Sequence, residues 1–337
     1  MLRFLGGVRL ILRSVLSLDT ILRLAPDVLE TTRGSRYRAD EQATDLASFH
    51  PDDRRVLVFL YALLDELETV VRPSSPGTPQ SSEPLAAFLA RHDLSDVIAQ
   101  VRTLGTHDER LAATIHDVRG GALTTLFVQL ARSRRAPIRA DIVHAIHLGA
   151  RDHMKMMRNV VRDLDAPARE RDLSPIPHSL GDLVNAMREF TGMVGDERVV
   201  VTVDARAEGT IAESCVEVSA IDRVVYNLLN NAVRYTNHPE VNAWVVPLVG
   251  DLRVVVANRV SEEQRARLHE ALTRDPSAIF GAFTTSGSGH GLRIVSDLVG
   301  RAYGISGAES LTRGGHVGAR LLDDAFLTWF HWPLSGA

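Results

Sequence analysis

The sequence predicts an α+β protein with an N-terminal helical region, an antiparallel helical hairpin that pairs with a second copy into a four-helix bundle, and a C-terminal two-layer α/β sandwich. Three observations carry this prediction. Apolar residues recur at spacings of three and four from Thr106 to about Arg169, as in long amphipathic helices. After Pro175, short β-branched runs alternate with helical patterns. The stretch PSSPGTPQSSEP, rich in proline and serine, separates these parts from the N-terminal region.

Composition and length limit the possible classes of protein. With 337 residues, the chain has room for about two or three domains. Its net charge of −4 calls for neither nucleic acid nor an acidic substrate as a partner. Cys215 is the only cysteine, which excludes an intrachain disulfide and favours a cytoplasmic location. No apolar run reaches the roughly eighteen residues that a membrane-spanning helix needs.

Residues 1–72 are expected to form a helical region of unknown role. A helix is predicted after His50, because apolar residues recur at helical spacing from Val56 to Val70. The basic start, residues 1–18, is consistent with an amphipathic helix on a membrane surface, with contact to a sensor protein, or with a helix packed on its own domain. A linker at residues 73–84 and connecting helices at 85–105 follow.

Residues 106–172 are predicted to form the helical hairpin, with its break at Ala136-Pro137. The stripe of the first helix consists of Leu111, Ile115, Val118, Ala122, Leu126 and Leu130, and that of the second of Ile146, Ala150, Met154, Met157, Val161 and Leu164. Each stripe is longer than one hairpin can easily bury. We therefore expect a homodimer whose two hairpins form a four-helix bundle.

Residues 173–337 are predicted to form the α/β sandwich with a mixed sheet. The predicted helices are Leu180–Phe190, Ile221–Thr236, Glu262–Leu272 and Leu292–Val299, and the predicted strands are Val199–Ala205, Ala243–Val249, Leu252–Asn258 and a C-terminal set ending in TWFHWPL. The aromatic residues Trp329, Phe330 and Trp332 are expected to pack in the core or at an edge, with a partner contact as the alternative.

A row of polar residues follows one face of the predicted helix Ile221–Thr236. Asn227 and Asn231 lie four residues apart, about one helical turn, so their amides can share one ligand. Arg234 and Tyr235 follow them. Neutral amide oxygens beside a basic side chain suit a hydrated Mg²⁺ that carries phosphates. The alternative is an ordinary solvated helix face.

A glycine-rich loop precedes the helix Leu292–Val299. Gly287, Gly289 and Gly291 stand at alternate positions, where the backbone can approach phosphate oxygens and the helix start offers free N–H groups. The loop does not follow a strand directly, so a dinucleotide-binding fingerprint is not expected. The alternative is a flexible loop without a ligand.

His116 is the candidate catalytic histidine. It is expected at the solvent-accessible edge of the bundle, where Asp117 can hold or deprotonate its imidazole and Arg119 adds a charge suited to phosphate. Gly120 and Gly121 each weaken a helix by about 1 kcal/mol relative to alanine, which predicts a bend after the histidine. The alternative is an inert surface histidine.

Three further histidines, His144, His147 and His153, lie on the second hairpin helix. A metal site is one interpretation of them, but no Asp or Glu at ligand spacing completes it. A solvated helix surface is therefore the favoured interpretation.

These motifs together resemble those of sensor histidine kinases. His116-Asp117-Val118-Arg119 resembles the H box, NLLNNAVRYT from Asn227 the N box, and GSGHGL from Gly287 the G2 box. Ile279-Phe280 and Phe283 resemble the F box. The order and spacing also match, over about two thirds of the chain. The resemblance implies a GHKL-type ATP-binding domain after a dimerisation and histidine-phosphotransfer domain.

The resemblance also implies roles for these residues. His116 would be the phosphoacceptor and Asp117 its base. Asn231, with Asn227 near it, would hold Mg²⁺. Arg234 and Tyr235 would approach phosphate and adenine, and Asn258 would contact adenine. Gly287, Gly289 and Gly291 would form the hinge of a lid over the triphosphate, and the following Leu292 would also contact the nucleotide.

The sequence departs from the family pattern at three places. Asn258-Arg259-Val260-Ser261 stands where the family has the aspartate of the G1 box, which binds the adenine amine, followed by spaced glycines. Gly120-Gly121 replaces the usual Thr-Pro after the histidine. The stretch from Arg313 to Ala325 is expected to be more irregular than the terminal hairpin of the family.

The leading hypothesis is an ATP-dependent protein histidine kinase that passes its phosphoryl group to an aspartate of a separate response regulator. A second hypothesis is a histidine phosphotransferase, relay or scaffold protein with a degenerate nucleotide site, motivated by Asn258. A third is an ATPase of the same superfamily that acts on a protein client, in which His116 would be dispensable.

Overall fold

The computed structural model describes residues 16–27, 29, 31, 43–73, 82–105, 111–135, 138–194, 197–281 and 290–334. The fold is α+β, as predicted, with a mixed sheet. The chain forms two compact units. The helical unit comprises Ala39–Ser174, and the sandwich unit comprises Met1–Arg38 together with Pro175–Ala337. The first predicted region, residues 1–72, is thus divided between the two units.

The helical unit contains seven helices within the described residues. They are α2 Pro51–Val71, α3 Glu83–Arg91, α4 Leu94–Thr103, α5 Ala112–Arg119, α6 Gly121–Ser133, α7 Ala140–Val160 and α8 Ala166–Leu173. Helix α2 begins where His50 accepts a hydrogen bond from the Asp52 amide, and Asp52 and Asp53 lie in its first turn, as the helix dipole favours. Residues of α2 through α7 share one hydrophobic core. Most of the predicted linker at 73–84 lies outside the described residues.

The first helix of the predicted hairpin is broken after Arg119. Helix α5 ends there, and Gly120 takes an extended conformation as the residue before α6. The predicted bend at Gly120-Gly121 is therefore confirmed. The second helix, α7, ends at Val160, because Val161 is extended and pairs with Thr44, so the predicted stripe continues past the helix at Val161 and Leu164.

The sandwich unit combines helices with two sheets. Its elements are α1 Leu18–Leu22, β1 Pro175–Ser179, α9 Leu180–Glu189, β2 Thr191–Val194, β3 Glu197–Ala205, β4 Thr210–Ser214, α10 Cys215–Tyr235, β5 Glu240–Pro247, β6 Asp251–Arg259, α11 Glu262–Arg274, a 3₁₀ turn Pro276–Phe280, α12 His290–Tyr303, α13 Ala308–Arg313, β7 Val317–Leu322 and β8 Ala325–Pro333. The main sheet has the order β2-β3-β5-β6-β8-β7, parallel only between β3 and β5. Strands β1 and β4 pair in a separate, antiparallel two-stranded sheet.

The main sheet buries both faces over its central strands. On the inner face, Val254 and Val256 of β6 pack in one core with α10 and α12. The outer face, with Trp244, Val255 and Trp329, is covered by residues 16–27, which we call the N-terminal strap. Phe330 and Trp332 lie in the inner core, so the aromatic cluster is core packing, as favoured. Residues 1–15, most of the predicted basic helix, lie outside the described residues.

The stretch from Arg313 to Ala325 is regular, which contradicts the expected irregularity. Helix α13 ends at Arg313, and β7 and β8 form an antiparallel hairpin. Asp323, in the turn, has a φ of 53°. Aspartate tolerates this left-handed conformation better than most residues, so the turn closes without a glycine.

Candidate active site

Helix α10 carries the predicted polar row. Ser214 accepts a hydrogen bond from the Glu217 amide as the N-cap, so the helix starts at Cys215, six residues before the predicted start. Its buried stripe, packed in the inner core, is Ile221, Val224, Val225, Leu228, Leu229, Ala232 and Val233. This packing fixes the direction in which the polar residues of the helix project.

The first residues of α12 lie against the two asparagines of α10. A Cβ atom at Gly291 would lie 3.0 Å from Oδ1 of Asn227 and 3.3 Å from Nδ2 of Asn231. Both separations are tighter than most contacts of real Cβ atoms, so a larger residue would displace the amides. Gly291, at the end of the glycine-rich loop, therefore lies directly beside Asn227 and Asn231, so the three residues can belong to one site.

The orientation of the Asn227 amide follows from its surroundings. Asn227 is only 7% exposed, and its Nδ2 donates a hydrogen bond to the Arg223 backbone oxygen over 2.8 Å. This bond directs Oδ1 toward Gly291. A fixed amide oxygen at the start of a helix is an acceptor for a cation or for one of its water ligands.

Other residues of the predicted nucleotide site lie on the same two helices. Arg234 is exposed, and its Cζ atom lies 5.4 Å from the ring centroid of the half-buried Tyr235, a cation–π distance. Leu292 is half-buried and packs against the inner core. Gly287 and Gly289 lie outside the described residues.

Asn258 lies near the end of β6, on the inner face of the sheet. Alternation along the strand places it on the same side as Val254 and Val256, and it is buried. Its Nδ2 donates to the Arg259 backbone oxygen over 3.3 Å. The side chain is therefore a buried polar group on the sheet face that packs against α10.

Thr328 is a second buried polar residue on the inner face of the sheet, and the sequence interpretation missed it. It pairs with Val256 in the register of β6 and β8, so it lies on the inner face and diagonally from Asn258. It is buried there. The signal in the sequence is a single hydroxyl among alternate aromatic residues, Phe326, Phe330 and Trp332, on a strand that is otherwise apolar on this face.

The residues that resemble an F box are packing residues where they are described. Ile279 and Phe280 are buried in the inner core at the 3₁₀ turn that precedes the glycine-rich loop. They fix the start of that loop on the core. Phe283 lies outside the described residues.

The candidate phosphoacceptor lies on α5 of the helical unit. His116 and Asp117 are helical, with their side chains outside the described part of the chain. Arg119, the last residue of α5, donates from Nη1 to the Leu104 backbone oxygen over 3.1 Å. Gly120, where the helix bends, lies four residues after His116, about one helical turn.

The expected solvated surface for the three histidines of α7 is wrong for two of them. His144 is exposed, but His147 and His153 are buried. Nδ1 of His147 lies 3.5 Å from Oε1 of the buried Glu68 on α2. Burial lowers the pKa of His147, and the Glu68 carboxylate opposes that shift. Within the described residues, no group of three or more His, Cys, Asp and Glu side chains could hold a metal ion.

No protein-family model matches the chain, and no curated protein matches it significantly. Three of the solved structures that match show how weak the likeness is. The catalytic domain of the histidine kinase ThkA is 18% identical, with 46% of this chain and 84% of that chain covered, at a TM-score of 0.29. Full-length ShkA in complex with AMPPNP is 21% identical, with 59% and 39% covered, at 0.33. A bacterial phosphotransferase is 11% identical, with 65% and 91% covered, at 0.30.

Likenesses at these identities and TM-scores are too weak to assign an activity, so the function must be inferred from the residues of the site. Two observations bear on a membrane and on the ligand. Within the described residues, no helix is both long enough and apolar enough to cross a bilayer. The site offers neutral amide oxygens and a guanidinium. Such a set suits a polyphosphate with Mg²⁺, because neutral amide ligands do not reduce the charge of the metal ion, which then attracts the phosphate oxygens.

Proposed function

We propose that this chain is an ATP-dependent protein histidine kinase, with Asn227, Asn231 and Gly291 as the floor of its nucleotide site. The observation that carries the proposal is the 3.0 Å approach of the Gly291 Cβ position to Oδ1 of Asn227. The start of α12, at Gly291, and the hydrogen-bonded amide oxygen of Asn227 meet there, with the Asn231 amide beside them. Free N–H groups at a helix start suit phosphate, and an amide oxygen suits Mg²⁺.

In this proposal, ATP bound with Mg²⁺ supplies the γ-phosphoryl group. Asn231 and Asn227 would hold the cation through their amide oxygens, and Arg234 and the N–H groups at the start of α12 would neutralise phosphate charge. Asn258 accepts a hydrogen bond from the adenine amine. The geometry of binding, rather than covalent chemistry by the sandwich unit, supplies most of the catalysis.

His116 is the acceptor of the phosphoryl group. Its unprotonated ring nitrogen forms the new N–P bond while the bond from the γ-phosphorus to the bridging oxygen of ADP breaks. The ring then carries a proton on its other nitrogen, and Asp117 stabilises that charge or accepts the proton. A second transfer moves the phosphoryl group to an aspartate of a separate response regulator. A cytoplasmic location is part of this proposal.

Transfer is tested with ATP labelled at the γ-phosphate. The full chain should become labelled on His116, and His116→Gln should not. His144→Gln is the matched control, because His144 is an exposed histidine on another helix of the same unit. Label that persists in His116→Gln would remove His116 from the proposal.

The relay protein is the second candidate, and Asn258 is the observation that favours it. An amide at this position recognises adenine without the charge of a carboxylate, so nucleotide affinity could be lost while His116 still relays phosphate. Calorimetry with ADP and Mg²⁺ separates the two candidates. Binding that is abolished in Asn231→Ala supports the kinase, and no binding by the wild-type chain supports the relay protein.

A further inference from the structure

The apolar stripe of α7 is buried within a single chain. The sequence analysis expected a second copy to cover it. Ile146, Ala150 and Met157 are all inaccessible to solvent in the helical unit, and Met154 is buried as well. They share a core with the buried stripe of α5 and α6. The packing argument for a second copy therefore does not hold.

Helix α2 is the element that covers this stripe. Both α2 and α7 are 21 residues long. Leu57, Leu60, Leu64 and Leu67 of α2 are each at most 1% exposed and belong to the same core as the α7 stripe. A helix with such an apolar face can cover the stripe of α7 in the way that a helix of a second hairpin covers it in a four-helix bundle.

Two polar contacts lie between α2 and α7. Near one end, Nη1 of Arg158 donates to the Tyr61 hydroxyl over 2.9 Å, while Nε of Arg158 donates to Asp172 over 2.8 Å. Near the other end, Glu68 lies beside His147. The order of the contacts along the two helices makes them antiparallel.

The ion pairs of Glu68 and Arg158 are with Arg72 and Asp172, so the bond that crosses between α2 and α7 is the one from Arg158 to the Tyr61 hydroxyl. A polar contact of this kind in a helix seam favours one partner and one register, because a shifted partner leaves a buried donor without its acceptor. An identical hairpin offers no counterpart of Tyr61 or Glu68, since both belong to α2. The contact of Tyr61 with Arg158 therefore favours α2 over a second hairpin as the cover of this stripe.

The remaining surface of the hairpin is polar where it is described. Exposed positions include Thr124 and Arg132 on α6 and His144, Arg151 and Asp152 on α7. Among the described side chains of α5, α6 and α7, Val128 is the one large hydrophobic residue that is exposed, at 46%. Stable homodimer interfaces have an apolar centre, and a single valine does not provide one.

We infer that α2 takes the place of a second copy, so that the helical unit closes within one chain and the protein acts as a monomer. The consequence for catalysis rests on the proposed function: His116 receives its phosphoryl group from the nucleotide site of the same chain. The alternative is the homodimer expected from the sequence, and the following experiments distinguish it from the monomer.

The first experiment measures the mass of the full chain by light scattering over a wide range of concentration. A monomer gives 37.0 kDa throughout. Twice that mass, or a mass that rises to it with concentration, overturns the inference. This measurement needs no enzymatic activity, so it stands even if the proposed function fails.

The second experiment uses a matched pair of substitutions on α2. Leu64, 1% exposed, lies in the seam, whereas Val58 is 48% exposed on the same helix. Leu64→Asp should release α2 and lead to self-association or loss of helical signal, and Val58→Asp should leave mass and helicity unchanged. If Leu64→Asp behaves like Val58→Asp, α2 is not the cover and the inference falls.

The third experiment mixes two inactive chains, His116→Gln and Asn231→Ala. The first keeps the nucleotide site and the second keeps the acceptor histidine. Transfer within one chain predicts no label in the mixture, and a wild-type rate per molecule that does not change with concentration. Label on the Asn231→Ala chain overturns the inference. Absence of label in the wild-type chain would instead contradict the proposed function and leave the mass measurement as the test.

Discussion

Arg253 donates its Nε–H to Nε2 of His331 over 2.7 Å, and both side chains are fully buried in the sandwich unit. A nitrogen that accepts this bond has no proton of its own, so the His331 proton lies on Nδ1, 3.3 Å from the His316 backbone oxygen. Burial, together with the neighbouring guanidinium, lowers the pKa of His331 to about 3. The folded chain therefore keeps His331 neutral.

The free energy of unfolding should fall as the pH drops from about 6.5 toward 3. In that window the unfolded chain binds a proton at His331, whose ordinary pKa is about 6.5, and the folded chain does not. Protons therefore favour the unfolded state, and the stability is complete only above this window. The expected loss is about 2 kcal/mol between pH 7 and pH 5. Denaturant titrations at several pH values measure it.

His331→Gln is the control for this prediction. Glutamine keeps an oxygen acceptor for Arg253 but does not titrate, so the slope of stability against pH should flatten. Burial raises the pKa of Asp251, which gives a slope of the opposite sign in both proteins and cancels in the comparison. An equal slope in the two proteins would contradict the role assigned to His331.

Arg253 should also anchor the N-terminal strap. Its Nη1 donates to the backbone oxygens of Ile21 and Leu22, and its Nη2 to those of Ala25 and Pro26, over 2.7 to 3.1 Å. In Arg253→Met these backbone oxygens lose their hydrogen-bond donor. They can then bond to water only if the strap moves away from the sheet. We expect a loss of about 2–4 kcal/mol of stability.

Release of the strap would expose the outer face of the sheet. Trp244 and Trp329 pack beneath it, so the tryptophan emission of Arg253→Met should shift to longer wavelength, and proteases should cut residues 16–27 faster. Arg206→Met is the control, since it removes an exposed ion pair with Asp204 and should cost less than about 1 kcal/mol. Equal behaviour of the two variants would mean that Arg253 does not hold the strap.

Gly291→Ala should weaken binding of ADP with Mg²⁺ by about tenfold to a hundredfold, because its Cβ forces the two asparagine amides apart. Gly149→Ala is the matched control. The nearest atom to a Cβ there is Cδ1 of Leu126, at an ordinary 3.6 Å. Calorimetry should find unchanged ADP binding for that variant, and thermal melts should find a gain of up to about 1 kcal/mol. Unchanged ADP binding by Gly291→Ala would place the nucleotide elsewhere.

Asn258 should decide the recognition of adenine. Asn258→Ala removes the acceptor for the adenine amine, and we expect ADP binding to weaken by about tenfold. Asn258→Asp supplies a charged acceptor, which forms stronger hydrogen bonds, so ADP binding should tighten. GDP, which lacks that amine, should respond to neither change. An affinity for ADP that ignores both substitutions would show that Asn258 is not in the adenine site.

Several features could be predicted from the sequence because they depend on local patterns. Helical spacing predicted α10 and α12, and paired glycines predicted the bend after Arg119. The start of α10 was predicted too late, at Ile221, because the N-cap Ser214 is separated from the apolar stripe. The hairpin turn at Asp323 was missed because an aspartate, not a glycine, takes the left-handed conformation there.

The features that could not be predicted depend on contacts between distant segments. An apolar stripe indicates that a face is buried, but not what buries it, so α2 could not be distinguished from a second copy. Arg253 stands in a β-branched run, and nothing near it in the sequence identifies the strap more than 200 positions earlier as its partner. Thr328 acquires its place beside Asn258 only through the register of β6 and β8.

The central claim is that Asn231 on α10 and His116 on α5 serve one reaction. The most direct measurement compares γ-labelled ATP with α-labelled ATP on the wild-type chain, His116→Gln and Asn231→Ala, with Mg²⁺ present. We predict a label from γ-labelled ATP alone, on the wild-type chain alone, that is lost in acid and stable in base, as for a phosphohistidine. ATP binding or hydrolysis without such a label, or a label that persists in His116→Gln, would contradict the claim.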